Sequence, residues 1–467
     1  MILTRPQPPE RSRRRGPLAW IEDGYARTRT ILHSGLLESI VSLYGIQICT
    51  YALPLITIPY LARVLGPAGW GLTSLAQAFG LYIAVLVEYG FNYSATRETA
   101  RYRDDPERLS ALVSGVLGAK AVLGLLVVPF ALVARLFVPA LSHDPRLFWA
   151  GVLFGSGMGF SMMWYFQGFE RMRLVASIDI VTRALATAGI FLWVHTPQDG
   201  WKVPALYGAL FWLSELVTLM LIWRELPFRA PSRAAVIDAL RTGWSMFLFR
   251  TSTVLYAAGN TFVLGFFAPP QMVGFYAGAE KINKSANGLL GPLPQALYPR
   301  LSYLLHRTRG EASELFRFSF VAMTAGGALL GLVMLVFAPL LVRLLLGPGY
   351  EPAVPALRIM AALPLLVALN SVMGVQWMIP LSMERQLNWI VVLAGLVNLG
   401  AAVLLAPALA HVGMAVAVVT AELFITIAIF YVLRKRRLDP ISLFAGHMPA
   451  ALEAEAPLLV GVEEGAL

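Results

Sequence analysis

Between Gly115 and Ala140 the chain is interrupted by charge only at Lys120 and Arg135. An apolar run of about 20 residues crosses the hydrocarbon core of a bilayer as a helix. Helix is the form such a run must take, because lipid offers no partner to an open backbone group. Similar runs recur along the sequence. Of its 467 residues 57% are hydrophobic and 14% charged, against roughly 45–50% and 25% in a soluble protein. Such an excess cannot be hidden in soluble cores whose surfaces must still meet water. The expected class is an all-α polytopic membrane protein.

The runs predict about twelve transmembrane helices, near residues 39–64, 70–95, 110–136, 147–168, 175–195, 203–223, 243–265, 273–298, 314–344, 355–380, 388–408 and 411–433. Residues 1–38 form a basic cytoplasmic N-terminal arm; its RPQPPERSRRRG stretch has nothing to bury. No cleavable signal peptide is expected, because no apolar core precedes Ile31. With the N-terminus in the cytoplasm, inner loops carry about 25 Lys and Arg and outer loops about 5. Both termini are therefore expected inside, in the bacterial inner (cytoplasmic) membrane. The net charge of +10 sits in clusters such as Arg11–Arg15 and Arg434–Arg437, which suit anionic headgroups rather than nucleic acid. The single cysteine, Cys49, reads as a small hydrophobe.

The longest inner connection divides the chain into an N-terminal six-helix bundle (39–223), a cytoplasmic linker (224–242) and a C-terminal six-helix bundle (243–437), with a cytoplasmic tail at 438–467. An internal repeat supports the division. With Gly71 placed on Gly274, Ala76 falls on Ala279, Gln77 on Glu280 and Arg97 on Arg300 without gaps. Six spans per half give parallel repeats, so a central cavity is expected between them. The Gly66-Pro67 pair reads as a tight outer loop, and Trp164, Trp201 and Trp223 as an interfacial belt.

A charge at the bilayer centre costs at least about 2.5–3.5 kcal/mol, so each intramembrane ionisable residue asks for a reason. Glu280, Asn283, Lys284 and Asn287 recur at helical spacing on the eighth span, with Lys281 beside them. Such a stripe must face a wet cavity or protein. The plainer alternative is that Glu280 and Lys284 form an i,i+4 pair that locks helices. Arg250 lies about two turns into the seventh span, where it either meets phosphate bidentately or snorkels to the interface. Arg97 and Arg300 end equivalent spans and suit anchoring, with headgroup binding as the second reading. Arg183 follows Asp179 by four residues, as a structural pair would. Glu215 and Glu422 sit mid-span without an evident local partner; each is open to three readings, as a protonated acid, as a partner of a lysine on the other bundle, or as a carrier of a coupling ion. Glu88 either caps or braces the Tyr89-Gly90 turn or binds a ligand, and the sequence favours neither.

Walker loops and metal-ligand spacings are missing from the sequence, and its six histidines are scattered. No catalytic residue, metal or cofactor is expected. Outer loops are too short for a membrane glycosyltransferase or polymerase.

Three groups of residues give the chain a family resemblance. They are Pro59-Tyr60-Leu61-Ala62-Arg63-Val64-Leu65-Gly66-Pro67 with Trp70-Gly71, then Glu88-Tyr89-Gly90-Phe91 with Ser94-Ala95-Thr96-Arg97, and Trp164-Tyr165-Phe166-Gln167-Gly168-Phe169-Glu170. The second half adds Val273-Gly274-Phe275-Tyr276, Ala279-Glu280-Lys281 and Leu297-Tyr298-Pro299-Arg300. Together they resemble the Wzx-type O-antigen and exopolysaccharide flippases of the multidrug/oligosaccharidyl-lipid/polysaccharide exporter superfamily, over residues 39–435. The resemblance implies export of undecaprenyl-pyrophosphate-linked repeat units by alternating access, without catalysis. It implies lipid-linked oligosaccharide and membrane lipids as partners, and a polymerase and a chain-length regulator as neighbours in assembly. In that reading Lys281, Lys284 and Arg250 meet the pyrophosphate. The rival within the superfamily is a drug or cation antiporter, which prefers an acid-rich cavity.

Overall fold

A computed structural model describes residues 36–257, 259–307 and 309–444. The N-terminal arm, and the tail from residue 445, lie outside the described residues. Among the described residues every regular element is helical. The first half comprises α1 (Leu36–Glu88), α2 (Phe91–Arg101), α3 (Pro106–Phe137), α4 (Pro139–His143), α5 (Pro145–Gly159), α6 (Met163–Gly168), α7 (Met172–Trp193), a 3₁₀ turn (Pro197–Trp201) and α8 (Lys202–Glu225). The second comprises α9 (Arg233–Ala257), α10 (Asn260–Leu264), α11 (Pro270–Gly288), α12 (Pro292–Arg307), α13 (Arg309–Leu345), α14 (Ala353–Met360), α15 (Leu363–Asn370), a π turn (Ser371–Met378), α16 (Glu384–Lys435) and α17 (Pro440–Phe444).

Eight helical segments among the described residues are long and apolar enough to cross a membrane. The chain is thus a multi-pass membrane protein. The seventh and eighth expected spans fall on the broken helices α9–α10 and α11–α12, whose polar residues lower their apolarity. Two expected span boundaries fall inside long helical segments, each at a residue that leaves helical geometry. The expected Gly66-Pro67 turn is one of these breaks: Gly66, at φ 64° and ψ 175°, leaves helical geometry and divides α1 into two helices. Glycine tolerates that φ, and proline suits the first turn of the helix that resumes. Ala410, at φ 46°, makes the corresponding bend in α16.

The two halves meet at the Gly66 end. Gly71 and Gly274 lie face to face, and a Cβ on either would overlap the carbonyl oxygen of Pro270 or Pro67 respectively. The contact is reciprocal in the register that the sequence repeat sets, as an isologous two-fold contact must be. Absence of side chains lets the backbones approach this closely. Around it, Tyr350 donates to the Ala62 carbonyl at 3.0 Å and Arg63 to that of Leu344 at 2.6 Å. One hydrophobic core runs across this seam, from Trp70 and Phe79 to Phe275, Tyr276 and Leu357.

At the arginine-rich end the cores separate. One draws on Phe91, Val113, Trp164 and Ile222, the other on Leu297, Phe316, Trp377 and Leu433. Trp164 is fully buried there, not at an interface as expected: it follows the break after α5 and turns into the core. The start of α9 crosses to the first half. Gly115 admits Ala235, where a Cβ would lie 2.8 Å from its carbonyl oxygen. Phe247 stacks on Tyr89 at 4.6 Å. The tail begins as part of the fold. Trp377 donates to the Leu438 carbonyl at 3.0 Å, and Asp439 is fully buried against Arg434 and Ser442.

Candidate functional site

Helix α11 starts at Pro270, where the missing N–H costs nothing. Its residues Glu280, Asn283, Lys284 and Asn287 share one face. That face lines a cavity of about 110 Å³ together with Asn260, Tyr276 and Glu422. Met360, Leu363, Val367 and Val418 form its apolar wall. All these residues belong to the second half, so this cavity lies within one bundle rather than between the two.

Its polar groups are wired to one another. Glu280 pairs with Lys284 at 3.1 Å and accepts from the Thr261 hydroxyl at 2.9 Å. The i,i+4 pair read as the plain alternative does form, and both members line the cavity. Glu422 accepts from Asn370 Nδ2 at 2.7 Å, and the Thr426 hydroxyl donates to Asn370 Oδ1 at 2.7 Å. Asn398 donates to Asn260 Oδ1 at 2.7 Å. The amide oxygens of Asn283 and Asn287 are buried and unpartnered. With two carboxylates against one ammonium, the lining is acceptor-rich. A liquid-like water takes about 30 Å³, while pockets for drug-sized ligands run to roughly 300–1,000 Å³. This space suits a few waters or a small hydrated cation, and is well below the size of a pocket for a drug-sized ligand.

The other expected site residues lie elsewhere. Lys281, one residue round the helix from Glu280, is absent from the lining. It points across the seam, its ammonium 4.9 Å from the centre of the Trp70 ring. Glu215, expected without a partner, accepts the Met162 N–H at 2.8 Å. Arg97 is exposed beside Glu98 at 3.3 Å, Arg300 is half-buried on α12, and neither reaches the cavity. The side chain of Arg250, on α9, is outside those described. Arg183 and Asp179 pair at 2.7 Å as expected. Glu88 braces its turn by accepting the Asn92 N–H at 3.3 Å.

Sequence reading passed over Lys120, Asn260, Asn370 and Asn398. Lys120 interrupts an apolar run as a lone charge, and the asparagines stand in apolar surroundings; each was visible as a polar group at membrane depth.

Comparison with solved structures places the helix arrangement. The lipid II flippase MurJ, in an inward closed conformation, aligns with TM-score 0.64 at 12% identity, over 87% of this chain and 89% of that one. An inward-facing multidrug resistance transporter of the MATE family gives 0.60 at 15% identity, over 82% and 97%. Among curated proteins, one from Escherichia coli (strain K12), named "Putative O-antigen transporter", is 29% identical over 405 residues, 86% of this chain and 98% of that protein. Its namesake from Shigella dysenteriae is 27% identical over 379 residues, 78% and 91%. Residues 36–305, more than half the chain, match the family model described as polysaccharide biosynthesis protein, and to that family this transporter-like membrane protein belongs.

Proposed function

We propose that the protein is a flippase that carries undecaprenyl-pyrophosphate-linked oligosaccharide repeat units from the cytoplasmic to the periplasmic leaflet by alternating access. One observation carries the reading: the halves share a single core at the Gly66 end and separate cores at the arginine-rich end. The sequence's charge bias puts the arginine-rich end inside. The molecule is then joined by one core outward and divided between two cores inward, bridged there by the start of α9, an arrangement suited to a carrier that receives cytoplasmic cargo. The likeness to transporters named for O-antigen supports the cargo class.

Size separates two tasks. The cargo belongs between the halves, since the 110 Å³ cavity is small for a lipid-linked oligosaccharide. The small cavity is suited to the driving ion, with Glu422 as the coupling acid, because its carboxylate faces the cavity and is oriented by Asn370. Lys284 stands half-exposed beside it, where an anionic cargo group reaches its charge. Polymerase and chain-length regulator are the assembly partners in this reading.

A second reading has an observation of its own. Two carboxylates in the cavity, with Lys281 turned away, give the acid-rich lining that a drug or cation antiporter prefers. Proteoliposomes separate the two. Protein-dependent movement of an undecaprenyl-pyrophosphate oligosaccharide between leaflets supports the flippase. Immobile cargo, with small cationic drugs moving against a proton gradient, replaces it with the antiporter.

A further inference from the structure

The ion pair of Asp179 and Arg183 stands at the middle of the membrane. Helix α7 runs from Met172 to Trp193, which puts Arg183 about 15–16 Å from either end at 1.5 Å per residue. That is too deep for its guanidinium to snorkel to the headgroups. Its Nε donates to Asp179 Oδ2 at 2.7 Å, yet the arginine side chain is 52% exposed and the aspartate 37%. A pair formed within one helix locks no second helix to it. Charge left open at this depth must face water or protein, not lipid.

The direction it faces follows from the helix. At about 100° per residue, Ala176, Asp179, Thr187 and Ile190 all fall within about 40° of Arg183, on one stripe. Leu174, Val181, Leu185 and Leu192 lie about 160–180° round the axis from it. These four are exposed and wholly apolar, so they mark the lipid face. The polar stripe changes along its length. Toward the Gly66 end Thr187 and Ile190 are buried, and Ile190 belongs to the core that runs across the seam. Toward the arginine-rich end, where the cores are separate, Ala176, Asp179 and Arg183 are open. A stripe packed outward, open inward and turned away from lipid has the form of a wall along a water path from the cytoplasm.

The guanidinium is also only partly used. It carries five N–H donors, and Nε alone is engaged: among the described residues no acceptor meets Nη1 or Nη2. Two parallel N–H donors match two oxygens of a phosphate group. We propose that Arg183 is an anion receptor on the first half's wall of the path between the halves. Its free Nη edge takes two phosphate oxygens of the lipid-linked cargo, and Asp179 is the positioning residue that holds the fork. The pair is neutral as a whole, so directed hydrogen bonds rather than bare charge carry the binding. The identity of the cargo rests on the flippase reading; the anion site rests on the geometry of α7.

The test uses the full chain with Cys49→Ser, in inside-out membrane vesicles treated with a membrane-impermeant thiol reagent. Ala176→Cys, on the polar stripe, should label quickly, and Leu185→Cys, on the lipid face, slowly. Inorganic pyrophosphate should slow labelling of Ala176→Cys, and should lose that effect when Arg183→Gln is added. In proteoliposomes Arg183→Lys keeps the charge but not the fork. It should raise the half-saturating cargo concentration about tenfold or more, the worth of one charge-assisted hydrogen bond. It should melt with the parent, since an exposed pair adds little to stability. Asp179→Asn should shift saturation the same way, by less. Ala176→Cys no more reactive than Leu185→Cys would place the stripe against lipid or another chain, and the inference falls. It falls also if pyrophosphate gives no protection, or equal protection without Arg183, or if Arg183→Lys saturates as the parent does. Immobile cargo in the parent defeats the flippase reading instead, and the anion site is then decided by pyrophosphate protection alone.

Discussion

In the proposed alternating-access cycle the seam between Gly71 and Gly274 must part, and a single methyl group there should hold it apart. In Gly71→Ala the new Cβ would lie 2.7 Å from the Gly274 nitrogen and overlap the Pro270 carbonyl. Turning 2.7 Å into an ordinary contact of 3.4 Å needs the helices to separate by at least 0.7 Å, and more at the carbonyl. Overpacking typically costs about 1–3 kcal/mol. Here both obstacles are backbone, so no rotamer change relieves them, and the upper end applies. At tenfold per 1.4 kcal/mol, the closed seam loses up to about a hundredfold in preference. The reporter is a cysteine at Val273, which is fully buried beside the contact, in a chain with Cys49→Ser. A membrane-impermeant thiol reagent applied from the periplasmic side should label it far faster when Gly71→Ala is present, and Gly274→Ala should do the same through the reciprocal overlap. Equal labelling in folded, normally expressed protein would refute the claim that this contact seals the outer end.

Other outcomes follow from the same geometry. Lys281→Met removes the ammonium from the Trp70 face, an interaction of about 0.5–2 kcal/mol, and should speed the same labelling by roughly 2- to 30-fold. Lys284→Ala should leave labelling unaltered and shift the ion concentration for half-maximal flipping, because Lys284 lines the cavity and not the seam. Asn370→Ala strips Glu422 of its 2.7 Å donor and should lower stability by about 1–3 kcal/mol, read as a lower melting temperature. Burial alone would raise the Asp439 carboxyl, but the Ser442 hydroxyl and N–H, with Arg434, more than offset it and hold it below the ordinary value. A depressed carboxyl stabilises above its unfolded value and loses that contribution as pH falls through the folded one. Docking of α17 should therefore persist from pH 7 to 5 and fail only below about pH 4, as proteolysis after Arg436 or Arg437 would report.

Much of the architecture was written in the apolar runs, since span length and charge bias are set by the bilayer itself. The repeat was legible too. Its register, read from Gly71 and Gly274, turned out to be the register of a physical contact. What the sequence concealed depends on rotation about helix axes. Lys281 and Lys284 are both lysines within one turn, yet one meets Trp70 and the other lines the cavity. Nothing local distinguishes them until the neighbouring helices are placed. Glu215 and Glu422 looked alike for the same reason: each one's partner comes from another helix, distant in sequence. The Gly66-Pro67 pair was legible because its chemistry is local: glycine supplies the positive φ at which the helix breaks.

Helix α11 joins the two features that transport needs. Successive residues on an α-helix point about 100° apart, so Glu280 and Lys281 necessarily address different neighbours. Glu280 takes the cavity side, with Thr261 and Lys284, and Lys281 takes the seam. Gly274, further up the same helix, is held against Gly71 by backbone alone. A change in cavity charge that tilts or turns α11 therefore cannot leave the seam untouched. The glycine contact has no side chains with which to absorb a small displacement, so it is either made or lost. Under the proposed function, that all-or-none character gives the small cavity leverage over the seam, and so over a cargo much larger than the cavity itself.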